Sequence, residues 1–457
     1  MMQLSEAAIA TKGAVIGQDV MFTCVTNDSR GNNPRQLFVA MKGERVDGHD
    51  YAISAIEHGA AAAMVSHEVS GLPAGLLVEN TRLALGDLAA YWRSKFSIPL
   101  AAITGSNGKT TVKEMLASIL RAATGSDDQV LATVGNLNND IGLPLTLLKL
   151  RTQHRYAVAE MGMNHFGEIS YLTRIGRPTV ALVNNATTAH LGGLGSVEGI
   201  AKAKGEIFEG LVEDGVAVIN ADDAFASFWK SLAAQHKILT FGLQAAADIT
   251  ASFKLHAEHT DISLNTPLGE TEIKLPVAGR HNVSNALAAT TVAIAMGATL
   301  GHIVAGLESF GGVKGRLQRK KGIKGAVVID DTYNANPASM KAAIDVLAGR
   351  KGEKLLVLGD MGELGDGAAA MHAEIGAYAK QAGVNSLYVL GELSHEMVKA
   401  FGLGAQHFDT PDALVWSLEN RMNDFSTVLV KGSRFMQMER VVNLIVEDKS
   451  GGKSHVA

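Results

Sequence analysis

The sequence predicts an α/β protein of three domains: a small N-terminal α/β domain, a central domain on a parallel sheet, and a C-terminal doubly wound domain. Three observations lead to this prediction. The 457 residues are too many for one hydrophobic core, at about 100–200 residues per domain. A glycine-rich loop joins an apolar run to helical sequence at 101–113. Strand-like and helix-like segments alternate after about residue 325. The predicted domains are residues 1–82, 83–313 and 314–457.

Composition narrows the class of protein. Hydrophobic residues at 47% and charged residues at 19% are typical of a globular protein, and the net charge of −5 argues against a nucleic-acid or anionic-membrane partner. Cys24 is the only cysteine, which excludes a disulfide framework and fits a reducing cytoplasm. The N-terminus lacks the pattern of a signal peptide. The uncharged stretch 282–300 contains enough Asn, Ser and Thr to favour a buried helix over a membrane span. We expect a cytoplasmic monomer that inserts into no membrane.

The first domain is predicted from short alternating segments. Strands are expected at 37–40 and 60–66, with a helix at 51–58 between them. Polar residues cluster at 26–30 and again at 47–49. Asn, Asp, Ser and Gly are common turn formers, so from the residues alone a turn is the favoured interpretation of both clusters.

The glycine-rich loop is interpreted as a phosphate-binding loop. Its glycines let backbone N–H groups face inward, and the helix after it adds the positive end of its dipole. Lys109 would reach the β- and γ-phosphates, and the Thr110 hydroxyl would hold Mg²⁺. The alternative is a glycine-rich turn with an exposed lysine. The loop residues expected to bind nucleotide are Thr104, Gly105, Ser106, Asn107, Gly108, Lys109, Thr110 and Thr111.

The rest of the central domain is predicted as a helix at 83–95, strands at 130–134, 156–159, 179–184, 216–220 and 237–241, a helix at 196–211, and an antiparallel appendage at 248–277. Glu160 and His190 follow two of these strands, at the sheet edge where ligands of α/β proteins collect. They are candidates for a second Mg²⁺, although a lone histidine is more often structural. Asn136, Asn138 and Asn139 lie in one loop and suit either left-handed backbone positions or a sugar or peptide ligand.

The third domain is predicted to be doubly wound and Rossmann-like. Its apolar strands are expected at 326–329, 355–358, 386–390 and 427–430, with an N-capped helix beginning at Pro411. Polar residues follow the strands and form a ligand-facing edge. No dinucleotide fingerprint follows a strand, so NAD binding is not expected. Asn282, at a helix start, could cap that helix or bind a base, and Arg316 could reach phosphates from the domain boundary.

Six motifs together resemble the Mur ligase family, which includes the folylpolyglutamate synthetases, over almost the whole chain. They are TGSNGKTT, AEMG, AHLGGLGSVEGIAKAKGEIF, GRHNVSNALAA, KGR and DDTYNANP. The resemblance implies an ATP-dependent, amide-forming ligase whose central domain is a P-loop ATPase. In this family the first domain grips the uridine diphosphate of a UDP-sugar peptide, which would involve Ser29, Arg30 and Lys42.

Further roles are carried over from the resemblance. It assigns the adenine of ATP to Asn282 and other nucleotide contacts to Arg316 and Asp331. It places the asparagine-rich loop beside the muramyl group and makes Asn334 and Asn336 substrate contacts. Family members also carry a carbamylated helix lysine at the metal site, and the spacing from His190 indicates Lys204 rather than Lys202. A solvated helix lysine is the alternative. The implied Mg²⁺ ligands are Thr110, Glu160, His190 and Lys204, with Lys109, Glu160, His190 and Lys204 as the catalytic set.

Within the family, DDTYNANP and GDMGELG resemble the member that adds D-alanyl-D-alanine to a UDP-sugar peptide. A sibling ligase that adds another amino acid shares the central machinery and remains an alternative. A P-loop nucleotide switch is a second alternative from another class, because it would need only slow hydrolysis and a partner surface.

Overall fold

The structure, a computed structural model, describes residues 1–31, 34–187 and 194–447. Its first domain is a five-stranded sheet in the order β2-β7-β6-β5-β4, parallel except for β2 against β7, beside a two-stranded pair of β1 and β3. The elements are β1 Met2–Gln3, α1 Leu4–Thr11, β2 Ala14–Gly17, β3 Met21–Phe22, β4 Cys24–Thr26, β5 Gln36–Val39, α2 Ala52–Glu57, β6 Ala62–Val65 and β7 Ala74–Leu77. The predicted strands and helix between 37 and 66 are confirmed, while α1, β2, β4 and β7 add to the prediction.

Helix α3 (Thr81–Ser94) joins the first domain to the second. Asn80 caps it by accepting hydrogen bonds from the N–H groups of Arg82 and Leu83. Its buried face belongs to a hydrophobic core that includes Phe22 of the first domain and Leu100 of the second. The predicted boundary at residues 82 and 83 therefore falls inside the first turn of a shared helix, and the division into domains stays a prediction.

The central domain is a six-stranded parallel sheet in the order β13-β12-β11-β8-β10-β9. Its four inner strands are almost wholly buried because helices cover both faces, which explains their continuous apolar sequence. The elements, in chain order, are β8 Leu100–Thr104, α4 Lys109–Thr124, β9 Val130–Ala132, α5 Gly142–Leu147, β10 Tyr156–Glu160, α6 Glu168–Gly176, β11 Val180–Val183, α7 Val197–Gly205, β12 Val216–Asn220, α8 Ala226–Leu232 and β13 Lys237–Phe241.

An antiparallel three-stranded sheet and two helices complete this domain. The strands β14 Thr250–Leu255, β15 Thr260–Thr266 and β16 Gly269–Leu275 confirm the predicted appendage. Helix α9 (Arg280–Ala295) is largely buried, and α10 (Leu300–Glu308) follows it. Across the residues that the structure describes, no helix has the length and apolarity to cross a membrane.

The third domain is a six-stranded sheet in the order β17-β18-β22-β19-β20-β21, parallel except for its edge strand β17. Pro411 begins α14, and the Thr410 hydroxyl caps it as predicted. The elements are β17 Gln318–Lys321, β18 Val327–Asp331, α11 Pro337–Ala348, β19 Glu353–Gly359, α12 Ala368–Gln381, β20 Ser386–Leu390, α13 Ser394–Phe401, β21 Ala405–Phe408, α14 Pro411–Glu419, β22 Ser426–Lys431 and α15 Glu439–Ile445.

Candidate active site

The glycine-rich loop follows β8 and begins α4 at Lys109, as predicted. Gly108 has a φ of +81°, and a Cβ there would lie 2.3 Å from Asn285 Oδ1 and 2.6 Å from Asn184 Nδ2. Only glycine fits this combination of left-handed backbone and close contact. Thr110 and Thr111 are buried in the first turn of α4, and the loop therefore packs against the sheet and α9. The alternative interpretation of this loop, a glycine-rich turn with an exposed lysine, does not agree with this packing.

Two asparagines after β11 hold the loop backbone. Asn185 Oδ1 accepts from the Asn107 N–H at 2.8 Å, and the side-chain amides of Asn184 and Asn185 both donate to the Asn107 carbonyl, at 3.0 and 3.1 Å. The Ser106 N–H donates to the Asn185 carbonyl at 3.0 Å. Neither residue was predicted from the sequence to belong to the site, although two adjacent asparagines at the end of a predicted strand indicate a polar strand end of this kind.

Lys109 is half-buried beneath the loop. Its Nζ donates to the Gly105 carbonyl at 2.7 Å. Burial lowers the pKa of the Lys109 ammonium, while the carboxylate of Glu160 opposes that shift and the guanidinium of Arg316 adds to it. Lys109, Glu160 and Arg316 therefore share one electrostatic environment, although they come from different parts of the chain.

Arg316 reaches the phosphate loop from the start of the third domain. Its Nη2 donates to Thr110 Oγ1 at 3.1 Å, and its guanidinium lies 4.3 Å above the ring of Tyr333. An aromatic face beside a guanidinium restricts its orientation. The sequence predicted a phosphate contact for Arg316, and the structure places the side chain at the predicted Mg²⁺ ligand, Thr110. Tyr333 was not predicted to take part.

Glu160 presents a free oxygen at the end of β10. Oε1 accepts from Asn138 Nδ2 at 2.8 Å, and the backbone N–H of Glu160 donates to Thr133 Oγ1 at 3.0 Å. Oε2 is buried and has no hydrogen-bond partner among the described residues, and the same is true of Thr104 Oγ1. A buried carboxylate oxygen without a partner is costly. The Oε2 atom of Glu160 is therefore suited to bind a cation such as Mg²⁺, which prefers oxygen ligands.

His190 lies outside the described residues, so its predicted metal role stays a prediction. Lys204, in α7, is 1% exposed, whereas Lys202 is exposed and lies 5.8 Å from the Phe166 ring. Burial, followed by the charge of Lys109, lowers the pKa of Lys204 well below that of an ordinary lysine. The interpretation of Lys204 as a solvated helix lysine is therefore wrong, because its side chain lies in the interior on the Lys109 side of the molecule.

A cleft of roughly 1130 Å³ lies between the second and third domains at this sheet edge. Its lining brings together Lys109, Glu160 and Arg316 with the predicted substrate residues Asn136, Asn138, Asn139, Asn334 and Asn336. Two of these asparagines also have structural roles. Asn139 Oδ1 accepts from the Gly142 N–H at 2.9 Å before α5, and Asn336 caps α11. The left-handed backbone interpretation is wrong for Asn136, Asn138 and Asn139, because none of the three has a positive φ, and their ligand role stays a prediction.

The third domain contacts the phosphate loop directly through Asn336. Its Nδ2 donates to Asn107 Oδ1 at 2.8 Å, across 229 residues of chain. Nearby, Asp331 accepts from the Leu317 N–H at 3.1 Å and pairs with Lys431 at 2.7 Å. Asp331 is thus at the domain boundary, as predicted, with its carboxylate engaged by protein groups.

The predicted uridine-diphosphate residues lie elsewhere. Arg30 is exposed, and its guanidinium pairs with the Asp28 carboxylate at 2.9 Å. The guanidinium, followed by the hydrogen bond from the Arg30 N–H, lowers the pKa of the Asp28 carboxyl to about 2. Lys42 is exposed and Ser29 is half-buried. None of the three lines the cleft, so their substrate role stays a prediction.

A second cavity, of roughly 760 Å³, lies on the other side of α9's first turn. Gly279, Arg280 and His281 line it from the second domain, and Asp345 and Arg350 line it from the third. Asn282 is buried next to this lining, and its Nδ2 donates to the Ala278 carbonyl at 2.8 Å. Helix α9 has no side-chain cap, so the alternative of a helix cap is wrong for Asn282, and its contact with adenine stays a prediction.

Family models match three parts of the chain. The model described as "Mur ligase family, catalytic domain" matches residues 21–93, "Mur ligase middle domain" matches 103–293, and "Mur ligase, glutamate ligase domain" matches 315–434. Together they cover more than half of the sequence.

Individual proteins are similar over nearly the full length. The UDP-N-acetylmuramoyl-tripeptide–D-alanyl-D-alanine ligase of Escherichia coli K12 is 44% identical over 97% of this chain and 98% of its own, and that of Bacillus subtilis is 35% identical over 93% of each. A crystal structure of MurF from Acinetobacter baumannii superposes with a TM-score of 0.90 at 37% identity, covering 97% of this chain and 98% of that one. MurF from Thermotoga maritima in complex with ADP gives 0.81 at 28% identity, covering 92% and 96%.

Proposed function

The chain belongs to the Mur ligase family, and we propose that it uses ATP to join D-alanyl-D-alanine to a UDP-N-acetylmuramoyl-tripeptide. The product is the UDP-muramoyl-pentapeptide of bacterial peptidoglycan synthesis. The observation that carries this proposal is the 44% identity, over 97% of the chain, to a ligase of that name. The cleft between the second and third domains supports it, because a ligase must bring a nucleotide and two further substrates together.

Amide formation from a carboxylate and an amine is uphill in water, so the carboxylate must be activated first. We propose that a carboxylate oxygen of the tripeptide attacks the γ-phosphorus of ATP, which releases ADP and leaves an acyl phosphate. The free amine of D-alanyl-D-alanine then attacks the acyl carbon. The tetrahedral intermediate expels inorganic phosphate, and the amine loses a proton.

The residues around the loop suit the first of these steps. Backbone N–H groups at the start of α4 and the Lys109 ammonium would face the phosphates, and Arg316 would approach from the third domain. Divalent cations, when bound, neutralise charge on the transferring phosphoryl group. Thr110, Glu160, His190 and Lys204 are the residues we propose to hold two Mg²⁺ ions. The unpartnered Oε2 of Glu160 supports that assignment for Glu160.

Lys204 is proposed to be carbamylated. A lysine ammonium would repel a neighbouring cation, whereas the carbamate formed from a neutral amine and carbon dioxide is anionic and offers oxygen ligands. The burial of Lys204 supports the proposal, since burial favours the neutral amine that reacts with carbon dioxide.

The remaining assignments follow the family. We propose that Ser29, Arg30 and Lys42 bind the uridine diphosphate, that the cleft asparagines contact the muramyl peptide, and that the base of ATP lies near Asn282, where the 760 Å³ cavity opens. Asp331 is proposed to act at the same domain boundary. We further propose a cytoplasmic monomer that acts on small molecules and binds no nucleic acid.

A substrate panel tests the proposal. Purified protein is incubated with ATP, Mg²⁺, a UDP-muramoyl-tripeptide and one amine at a time, and the product is measured by mass spectrometry. We expect mass gain with D-alanyl-D-alanine and phosphate release only when both substrates are present. Preferred addition of a single amino acid would indicate a sibling ligase. Phosphate release that ignores both substrates would indicate a nucleotide switch.

A further inference from the structure

The turn between β14 and β15 carries two histidines whose side chains converge on Asp261, the second residue of β15. His256 Nε2 lies 2.9 Å from Asp261 Oδ2, and His259 Nε2 lies 3.4 Å from Asp261 Oδ1. The two imidazole rings stack with centroids 4.3 Å apart and planes 10° from parallel. One possible metal-ligand atom from each residue lies within 4.8 Å of the other two. The Nε2 atom of each imidazole therefore faces the Asp261 carboxylate.

We propose that His256, His259 and Asp261 bind a divalent transition-metal ion of the Zn²⁺ class, at a site separate from the phosphate loop. Tetrahedral zinc with bonds of about 2.0–2.2 Å places its ligand atoms about 3.3–3.6 Å apart. The two histidine–aspartate separations involve different oxygens of Asp261 and bracket the lower end of that range. Side-chain rotations that bring both imidazole nitrogens and one Asp261 oxygen around a common point would therefore bind an ion.

The chemistry of the three ligands also indicates which metal ion the site would bind. Two neutral imidazoles and one carboxylate suit Zn²⁺ and its neighbours in the first transition series, whereas Mg²⁺ prefers six oxygen ligands. All three side chains are 30–49% exposed, which leaves room for a water molecule as the fourth ligand. The site would therefore stay selective for Zn²⁺ even when Mg²⁺ is in excess.

The position of the turn indicates what an ion there would stabilise. Glu258, between the two histidines, pairs with Arg319 on β17 of the third domain. His256 and Ala257 also line the 760 Å³ cavity, opposite Asp345 and Arg350. A bound ion would hold the turn in the conformation that pairs with Arg319, and so would strengthen one contact across the boundary between the second and third domains.

The alternative is that histidine–aspartate hydrogen bonds alone hold the turn. The test uses the full-length protein, stripped of metal with a chelator and kept in excess Mg²⁺. Zn²⁺ binding is measured by calorimetry, and Co²⁺ binding by the visible absorption of a tetrahedral site. We expect one such ion to bind at the turn, and the exchange of amide hydrogens at 255–260 to slow when Zn²⁺ is added.

The variants are His259→Ala and the more conservative Asp261→Asn, each checked for an unchanged circular dichroism spectrum. Each should weaken Zn²⁺ binding by about tenfold or more and remove the Co²⁺ absorption. The control is His395→Ala. His395 stacks on His407 at 3.6 Å, but His407 Nε2 already bonds the Gly391 carbonyl at 2.8 Å, so this pair offers no equivalent site. Zn²⁺ binding that is absent from the wild type, or unchanged in both turn variants, would overturn the proposal.

Discussion

Asn336 Nδ2 donates a hydrogen bond to Asn107 Oδ1 at 2.8 Å, and this contact ties the third domain to the phosphate loop of the second. Asn336 also caps α11, because its Oδ1 accepts from the Ser339 N–H at 2.9 Å. One side chain therefore combines a local structural task with a contact that positions two domains around the proposed ATP site.

Asn336→Ser separates these two tasks. Serine caps helices about as well as asparagine, so the free energy of unfolding should change by less than about 0.5 kcal/mol. Its side chain is too short to reach Asn107, so we expect the KM for ATP to rise several-fold and scattering to show a more open molecule. Kinetics and chemical denaturation measure the two effects.

Thr410→Ala is the matched control for the cap. Thr410 caps α14 in the same domain, and its loss should cost about 1 kcal/mol of stability while leaving the KM for ATP unchanged. If Asn336→Ser leaves the KM for ATP unchanged, as Thr410→Ala should, the contact with Asn107 has no role in nucleotide binding.

Lys109→Met tests the phosphate loop. It preserves the bulk of the half-buried side chain and removes the charge proposed to face the phosphates, so ligation should fall by about a hundredfold or more. The Gly105 carbonyl also loses its donor, so the free energy of unfolding should fall by about 1 kcal/mol, which leaves the protein folded. Turnover comparable to the wild type would contradict the role of Lys109.

Lys113, one helical turn later, provides the contrast. It is 1% exposed, and its Nζ donates to the Thr133 carbonyl at 2.6 Å and pairs with Glu114. Lys113→Met should therefore destabilise the protein by about 1–3 kcal/mol, because a buried carbonyl loses its donor. The two lysines thus separate a chemical role from a structural one.

Glu160→Gln tests the proposed metal site. Glutamine can still accept from Asn138, but it carries no charge, so the Mg²⁺ concentration for half-maximal rate should rise about tenfold. Glu209→Gln is the control, because Glu209 pairs with Arg174 at 3.0 Å on the exposed surface. An identical Mg²⁺ dependence in the wild type and both variants would exclude Glu160 as a ligand.

Lys204→Ala should abolish ligation if the proposed carbamate holds Mg²⁺. Removal of dissolved carbon dioxide should lower the activity of the wild type reversibly, and bicarbonate should restore it. Lys202→Ala, two residues away and exposed, should keep full activity and the same response to carbon dioxide. Activity retained in Lys204→Ala would show that a carbamate on Lys204 is not needed for ligation.

The sequence was most informative where strands are buried. The strands at 216–220 and 386–390 match β12 and β20 residue for residue, because buried parallel strands are continuous apolar runs. The edge strand β13 matches the prediction at 237–241 as well, because its sequence is still mostly apolar. Edge strands such as β17 and β21 were not predicted, since exposed pairing leaves a mixed polar sequence.

The phosphate loop could also be predicted from the sequence, because its residues are contiguous. The residues that hold the loop in place could not be predicted. Asn107 and Asn336 are 229 residues apart, and Asn184, Asn185 and Tyr333 act through contacts that no local pattern encodes. Burial of Lys204 likewise depends on how α7 packs, which the residue pattern around 202 and 204 left open.

Oxygen tracing is the most direct test of the proposed reaction. The reacting carboxylate of the UDP-muramoyl-tripeptide is labelled with ¹⁸O on both oxygens, and the products with ATP and D-alanyl-D-alanine are analysed by mass spectrometry. Reaction through an acyl phosphate predicts that each new amide keeps one ¹⁸O and that one ¹⁸O appears in inorganic phosphate. Label in AMP, or an amide product formed without any label in phosphate, would contradict the acyl phosphate.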